Sequence, residues 1–245
     1  MVSLALASAN GDPVEPQSAG MVKTVVLRIR DKLRADGLRV GDTLPSEGET
    51  ASQLGVSRTV VREAYRSMSA LGLIDVGNGR KASVGAINPQ SLALLFDHGV
   101  QTNQASVQQI LDVRRTIEIR TVGLAALLRK DTEAKEIAAL ATAMRADFTA
   151  SERVMEHDIA FHEAIARASR NPMFSMVVAS FGLVTRETWP LGWKARASDE
   201  ERMAHVVCHE QIARDIAEGD RVQAEAHMAS HFDSTAKVLL TSGIY

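Results

Sequence analysis

Cysteine, aromatic residues and long apolar runs are all scarce in this chain of 245 residues. The single cysteine, Cys208, excludes a disulfide framework within the chain and a structural zinc site built from cysteines. Aromatic residues make up only 4% of the chain, which favours helices over an aromatic-rich β-sandwich. No apolar run approaches the roughly 18 residues of a membrane span, and the N-terminus lacks the basic residues of a secretory signal. We therefore expect a cytoplasmic protein without membrane association.

The net charge of −2 conceals an uneven distribution of charge along the chain. Residues 21–85 contain 11 lysine and arginine residues against 7 aspartate and glutamate residues, whereas residues 86–245 contain 17 against 21. A basic segment followed by an acidic one predicts two domains with different partners. The basic segment is the one suited to phosphate groups.

The first 85 residues predict a leader and a small DNA-binding domain. Residues 1–20 are small and polar and include two prolines, so we expect a disordered leader. Residues 21–85 predict an amphipathic helix, a short second helix that begins at a Ser46–Glu49 capping box, and a third helix capped by Ser57. A β-prone hairpin follows, which completes the pattern of a winged helix-turn-helix.

The rest of the chain predicts helices and no strands. Residues 86–105 are expected to form a linker with a short apolar helix, residues 106–240 an all-helical domain, and residues 241–245 a tail. The overall fold class is therefore mainly α, with a winged helix-turn-helix followed by an all-α antiparallel bundle. The predicted bundle helices are 106–130, 132–150, 152–169, 172–193, 199–218 and 220–240.

The start of the third helix and the hairpin tip carry the candidate DNA-contacting residues. Arg58 and Arg62 lie four positions apart on one helix face, and arginine can donate two hydrogen bonds to a guanine base. The alternative is a solvated face of charged residues without a partner. The full candidate set is Ser57, Arg58, Thr59, Arg62, Gly79 and Arg80.

Six of the seven histidines lie between residues 157 and 231. Spacings of four residues recur on three predicted helices, so the bundle could hold a metal ion in its core. Apolar neighbours favour inward positions for His162, His209 and His231, whereas His157 is expected at the surface. His205 and His227 could lie beside such a site or be exposed. The alternative is a set of surface histidines on amphipathic helices.

The segment from Gly41 to Val84 resembles the winged-helix domain of the GntR-type regulators. It contains Leu-Pro-Ser-Glu, Val-Ser-Arg, Val-Arg-Glu-Ala, and Gly-Leu before the hairpin. The resemblance implies a regulator that binds a pseudo-palindromic DNA operator as a homodimer. One residue departs from the pattern, because Gly48 stands where the family usually has an arginine. Glycine cannot make that contact and lowers helix propensity by roughly 1 kcal/mol relative to alanine.

The second half resembles the FCD effector domain of the FadR-like branch of that family. The matching segments are Asp158-Ile-Ala-Phe-His162, Asn171-Pro172, His209 with its following residues, and Met228-Ala-Ser-His231. The resemblance implies a metal site formed by Asp158, His162, His209 and His231. One oxygen and three nitrogen ligands suit a divalent ion, zinc first, with nickel, manganese or iron as alternatives.

The resemblance also implies a role for Arg114, in the segment that matches the first helix of the effector domain. Its guanidinium is expected to face the ligand pocket and to pair with the carboxylate of a small effector. The alternative is a surface ion pair with Glu118, four residues further along the helix.

The resemblance implies a repressor whose affinity for its operator changes when an organic or sugar acid binds at the metal site. The alternative is a metal-dependent enzyme acting on a small organic acid. His162-Glu163 and His209-Glu210 begin a His-Glu-x-x-His motif, but alanine occupies the second histidine position in both. A third interpretation is an architectural DNA-binding protein without a ligand.

Overall fold

The computed structural model describes residues 16–77 and 80–243 and confirms a mainly helical fold. The chain divides into two compact units, with the boundary between Ser91 and Leu92. Most of the predicted leader, residues 1–15, lies outside the described residues, as do residues 244–245 of the predicted tail. None of the described helices combines the length and the apolar character needed to cross a membrane.

In its described residues, the first unit contains three helices and two paired strands. Helix α2 begins with the predicted capping box, in which Ser46 and Glu49 satisfy each other's backbone N–H groups, and ends at Gly55 in the left-handed conformation. The hairpin strands are antiparallel and pair Ile74 with Val84. The elements are α1 (Pro16–Ala35), α2 (Glu47–Leu54), α3 (Arg58–Ala70), β1 (Ile74–Asp75) and β2 (Ser83–Val84).

Helix α1 begins earlier than the sequence analysis predicts. Residues 16–20 were expected in the disordered leader, but the helix starts at Pro16. Proline is well tolerated at the first helical position, because the first backbone nitrogens of a helix have no intrahelical acceptor. Further along α1, Val25 and Ile29 are buried against Val61, Ala64 and Met68 of α3 and related residues of the small core.

The second unit consists of helices joined by short loops, with no strand among its described residues. Helices α5, α6, α7, α10 and α11 enclose a core that includes Val122, Ile137, Phe161, Ile212 and Met228. Ser198 and Asp220 cap α10 and α11, and Gly219 between them adopts the left-handed conformation. The helices are α4 (Gln90–Gln101), α5 (Val107–Leu128), α6 (Asp131–Ala146), α7 (Ser151–Ala168), α8 (Pro172–Ser180), α9 (Gly182–Ala195), α10 (Asp199–Glu218) and α11 (Arg221–Thr241).

The predicted helix over 172–193 is wrong, because two helices, α8 and α9, occupy this segment. They are separated at Phe181, whose N–H bonds to the carbonyl of Val178, three residues back, at 3.1 Å. The Phe181 ring is fully buried and stacks on Phe96 with ring centroids 5.1 Å apart. Packing of this ring therefore accompanies a break that apolar periodicity does not reveal.

We expect Tyr65→Phe to destabilise the first unit by about 1–3 kcal/mol, because it leaves the partly buried Pro45 carbonyl without its donor. The Tyr65 hydroxyl donates to the Pro45 carbonyl at 2.8 Å and lies 3.0 Å from Thr50 Oγ1. Hydrogen–deuterium exchange of the α2 and α3 amides measures the change. Ser67→Ala removes an exposed hydroxyl from the same helix and should leave exchange almost unchanged. Equal protection in the Tyr65 variant and the wild type would contradict this account of the small core.

Candidate nucleic-acid interface and candidate metal centre

The N-terminal end of α3 is exposed and carries candidate DNA-contacting residues. Ser57 caps the helix, and its hydroxyl accepts a hydrogen bond from the Val60 backbone N–H at 3.3 Å. Arg58, Thr59 and Arg62 are all exposed. A capped helix start that presents arginines to solvent is suited to contacts with phosphates and base edges.

The arginines of α3 differ in how their charges are balanced. Arg66 pairs with Glu63, with Nη1 and Oε1 2.8 Å apart. Arg58 and Arg62 have no ion-pair partner within the described part of the chain. Their charges are therefore available to an anionic partner. On a solvated face of alternating charges, neighbouring carboxylates would already pair with them.

Gly48 and the hairpin complete this surface. A Cβ atom at Gly48 would lie 3.7 Å from Nε of Arg58. Position 48, where the family usually has an arginine, is therefore next to a candidate DNA-contacting residue. Arg80 is exposed, and its aliphatic atoms lie against Gly77. Gly79, the other candidate at the hairpin tip, lies outside the described residues.

In the second unit, three helices bring together the four candidate metal ligands. Asp158 and His162 lie on α7, His209 lies on α10 and His231 lies on α11. Each residue offers one ligand atom, and these atoms all lie within 4.8 Å of one another. All four residues are at most 5% exposed. The arrangement could hold a metal ion, because carboxylate and imidazole groups are its ordinary ligands.

Hydrogen bonds at the outer nitrogens orient two of the imidazoles. Nδ1 of His209 donates to the backbone carbonyl of His205 at 2.8 Å, and Nδ1 of His162 contacts the carboxylate of Glu118. A neutral imidazole carries one proton, so the Nε2 atoms of both rings keep a free lone pair. Fixing the tautomer in this way is how metal-binding histidines are normally prepared.

The inner atoms of the cluster lack hydrogen-bond partners among the residues that the structure describes. Nε2 of His209 lies 2.9 Å from Oδ1 of Asp158, and two lone pairs this close repel each other unless a proton or a metal ion lies between them. Burial would raise the pKa of the Asp158 carboxyl, but the neighbouring histidines lower it well below its usual value. The buried atoms without a partner include Asp158 Oδ1, His162 Nε2, His205 Nε2, His209 Nε2 and His231 Nδ1.

Unpaired polar atoms at this density are costly in a protein interior. A divalent cation would accept the lone pairs of Asp158, His162, His209 and His231 together. The residues present therefore fit the metal that the sequence resemblance implies.

Arg114 has features of both positions considered for it, the ion pair with Glu118 and the place at the ligand pocket. It does pair with Glu118, Nε to Oε1 at 2.9 Å, but the pair is buried rather than at the surface. Nη1 of Arg114 also donates to Thr185 Oγ1 at 2.8 Å. The guanidinium carbon lies 5.6 Å from the ring centroid of Phe181 and 5.3 Å from that of Phe232. Arg114 lines a cavity that Asp158 and His231 also line.

Glu118 has a larger role than the sequence suggests. One carboxylate oxygen accepts from Arg114 and the other contacts His162, so this buried residue connects the cavity arginine to a candidate metal ligand. Burial would raise the pKa of Glu118, but His162 and Arg114 lower it below its usual value. Its position four residues after Arg114 predicts the ion pair between the two residues. No feature of the sequence predicts that this pair is buried.

His205 lines the same cavity without belonging to the four ligands. Its Nδ1 lies 3.1 Å from Nη2 of Arg196, and a guanidinium can only donate, so Nδ1 accepts and the proton resides on Nε2. Burial lowers the pKa of His205 to about 3, in agreement with a neutral ring. Nε2 lies 3.7 Å from Asp158 Oδ1. His205 therefore presents an N–H donor, rather than a lone pair, beside the cluster.

The two remaining histidines of this region lie outside the cluster. His227 Nδ1 pairs with Asp215 Oδ2 at 2.6 Å, and its side chain is about a third exposed. His157 Nε2 pairs with Asp147 Oδ2 at 2.9 Å and is half-buried rather than fully at the surface. Both have carboxylate partners that account for their positions.

Comparison with known families agrees with the division into two units. Residues 21–84 match the family described as bacterial regulatory proteins, gntR family, and residues 109–234 match the FCD domain. Together the two matches cover most of the chain.

Curated relatives are transcriptional regulators. The chain is 30% identical over 206 residues to the HTH-type transcriptional regulator LutR of Bacillus subtilis, which covers 82% of this chain and 93% of the relative. It is 31% identical over 162 residues to the Glc operon transcriptional activator of Escherichia coli, covering 64% of each. The galactonate operon transcriptional repressor of Escherichia coli is 24% identical over 159 residues, covering 62% of this chain and 69% of the relative.

A solved structure has the same fold. The Streptococcus agalactiae GntR structure superposes with a TM-score of 0.62 over 88% of this chain and 99% of that chain. The two sequences are 21% identical, so this similarity supports the fold.

We expect saturating zinc to raise the melting temperature by roughly 5–15 °C, because an ion that binds only the folded cluster stabilises it. The measurement is thermal unfolding of chelated protein with and without added zinc. His209→Asn should abolish the shift, whereas His157→Asn, next to Asp158 on α7 but outside the cluster, should retain it. An equal shift in wild type and His209→Asn would place the zinc elsewhere.

Proposed function

Because the chain belongs to the GntR family of bacterial regulators and carries an FCD domain, we propose that it is a repressor controlled by a small carboxylic acid. It is a DNA-binding transcriptional regulator rather than an enzyme, as its curated relatives are regulators. In this proposal residues 21–85 bind a pseudo-palindromic operator as a homodimer. Residues 106–240 bind the effector and dimerise.

One observation carries the sensing role: two of the four candidate metal ligands, Asp158 and His231, line the same cavity as Arg114. Asp158, His162, His209 and His231 would hold a divalent ion, with zinc as the proposed metal. Bound there, the metal would supply open coordination positions for a carboxylate. Arg114, whose Nε and Nη1 are already engaged, retains Nη2 as a donor to that group.

The proposed effector class is an organic or sugar acid. One relative is named as the transcriptional repressor of a galactonate operon, and galactonate is a sugar acid. Named relatives include both an activator and a repressor. For this chain we propose repression relieved by the acid, which requires the acid to bind one arrangement of the dimer more tightly than the other.

We expect Arg62→Ala to weaken operator binding by about 1–3 kcal/mol and to flatten its salt dependence if the lost contact is to phosphate. The DNA is the sequence that the wild-type protein selects from a random pool, and the measurement is fluorescence anisotropy over a range of salt concentrations. Arg30→Ala is the control, since exposed Arg30 is already neutralised by Asp31 at 2.6 Å. If both variants bind like wild type, α3 does not read the operator.

Effector response should depend on Arg114 and not on its neighbour. Arg114→Gln is expected to abolish release of the operator by organic or sugar acids while leaving operator affinity unchanged, because the guanidinium that receives the carboxylate is gone. Arg115→Gln on the same helix should respond normally, since exposed Arg115 pairs with Asp233 instead. Gel-shift titrations with each acid measure both properties. Unchanged release in Arg114→Gln contradicts the assigned role.

A further inference from the structure

Arg196 is a buried cation with no carboxylate partner. It follows α9, and only 5% of its surface is exposed. Its Nη1 donates to the Gly192 carbonyl at 3.0 Å, and Nη2 donates to His205 Nδ1 at 3.1 Å. Both acceptors are neutral. No aspartate or glutamate of the described residues lies within ion-pair distance of this guanidinium.

A buried charge without a counter-charge is energetically expensive, so such residues are normally paired. Burial lowers the pKa of Arg196, although the charges of Asp158 and Glu201 partly oppose this effect. Arg114, which lines the same cavity, has the usual counter-charge, because the Glu118 carboxylate pairs with it. The contrast indicates that the counter-charge of Arg196 comes from outside the chain.

The surroundings of Arg196 point to where that counter-charge binds. Arg196 lines the cavity together with Arg114, Asp158 and His205. Beside it, the Nε2–H group of His205 has no acceptor of hydrogen-bonding geometry. Thr235 lines the same cavity, and its hydroxyl also has no partner. A cation and two unsatisfied polar groups together form a site for an oxygen anion.

The charges around the cavity indicate how many negative charges a ligand should carry. Counted together, the two buried carboxylates, Asp158 and Glu118, and the two buried guanidiniums, Arg114 and Arg196, sum to zero charge, although Arg196 itself is not paired with either carboxylate. Histidines that bind a metal are neutral. A divalent metal ion at the cluster would therefore leave two uncompensated positive charges, and a monocarboxylate would cancel only one of them.

We propose that the effector is a dianionic acid whose second acidic group binds Arg196 and the Nε2–H of His205. This inference rests on the function proposed above and narrows its ligand class from small acids to diacids. The first carboxylate would then be held at the metal and Arg114. Arg196 becomes the residue that distinguishes diacids from monoacids.

The test compares acids that share one end and differ at the other. Lactate and malate are both 2-hydroxy acids, and malate adds a carboxylate; galactonate and galactarate form the corresponding sugar-acid pair. Isothermal titration calorimetry measures each dissociation constant with the zinc-loaded full-length protein. The wild type should bind the diacid of at least one pair about tenfold or more tightly than its monoacid, as one charge-assisted contact predicts.

Variants assign that preference to Arg196. Arg196→Gln should reduce the ratio of the two dissociation constants to near one by weakening only the diacid, and Arg196→Lys, which keeps the charge, should retain part of it. Arg202→Gln is the matched control, because Arg202 follows Arg196 by six residues but pairs with Asp199 and does not line the cavity. Retention of the zinc-induced melting shift verifies that each variant is folded.

Three results would overturn the inference. Equal affinity of wild type for the monoacid and diacid of both pairs contradicts it while leaving the proposed function intact. Equal weakening of both acids by Arg196→Gln makes Arg196 a positioning residue for His205 instead. Binding of none of the four acids contradicts the proposed effector class, and this inference fails with it.

Discussion

The second unit is organised around the cost of burying polar atoms that have no partner. Lone pairs from α7, α10 and α11 meet in its interior, where an unsatisfied group is far less favourable than in water. The surrounding apolar residues, Phe161 and Phe232 among them, exclude the solvent that would otherwise satisfy these atoms. A bound cation would relieve this cost, and folding of the helices and binding of the ion would then stabilise each other.

This constraint also connects the cluster to the cavity beside it. Glu118 contacts His162 with one oxygen and Arg114 with the other, and His209 donates to the carbonyl of His205. A ligand that binds Arg114 or His205 would therefore contact residues that orient the candidate metal ligands. In the proposed function, acid binding and metal binding would therefore be reciprocally coupled, since any interaction between two sites must act in both directions.

The sequence predicted the features that follow a regular residue spacing. Helical spacing and caps such as Ser46 and Ser57 placed most helices, and four-residue spacings beside apolar positions picked out His162, His209 and His231. What it did not predict depends on tertiary packing. The break at Phe181 accompanies burial of a single ring.

Glu118 and Arg196 were missed for the same reason. Glu118 looked like an ordinary partner of Arg114, because residues four apart on a helix pair equally well at the surface and in the interior. Arg196 lies after the end of α9, where no periodicity marks the inward face. Only the folded arrangement reveals that it is buried without a counter-charge.

The central claim is that the buried cluster, once metal-loaded, transmits acid binding to the DNA-binding unit. The most direct measurement is the operator dissociation constant of the wild-type protein with and without zinc, each in the presence and absence of a panel of hydroxy and sugar acids. The account predicts that an effective acid weakens operator binding only in the zinc-loaded protein. An acid response of the same size in chelated protein, or no response to any acid with zinc bound, would contradict it.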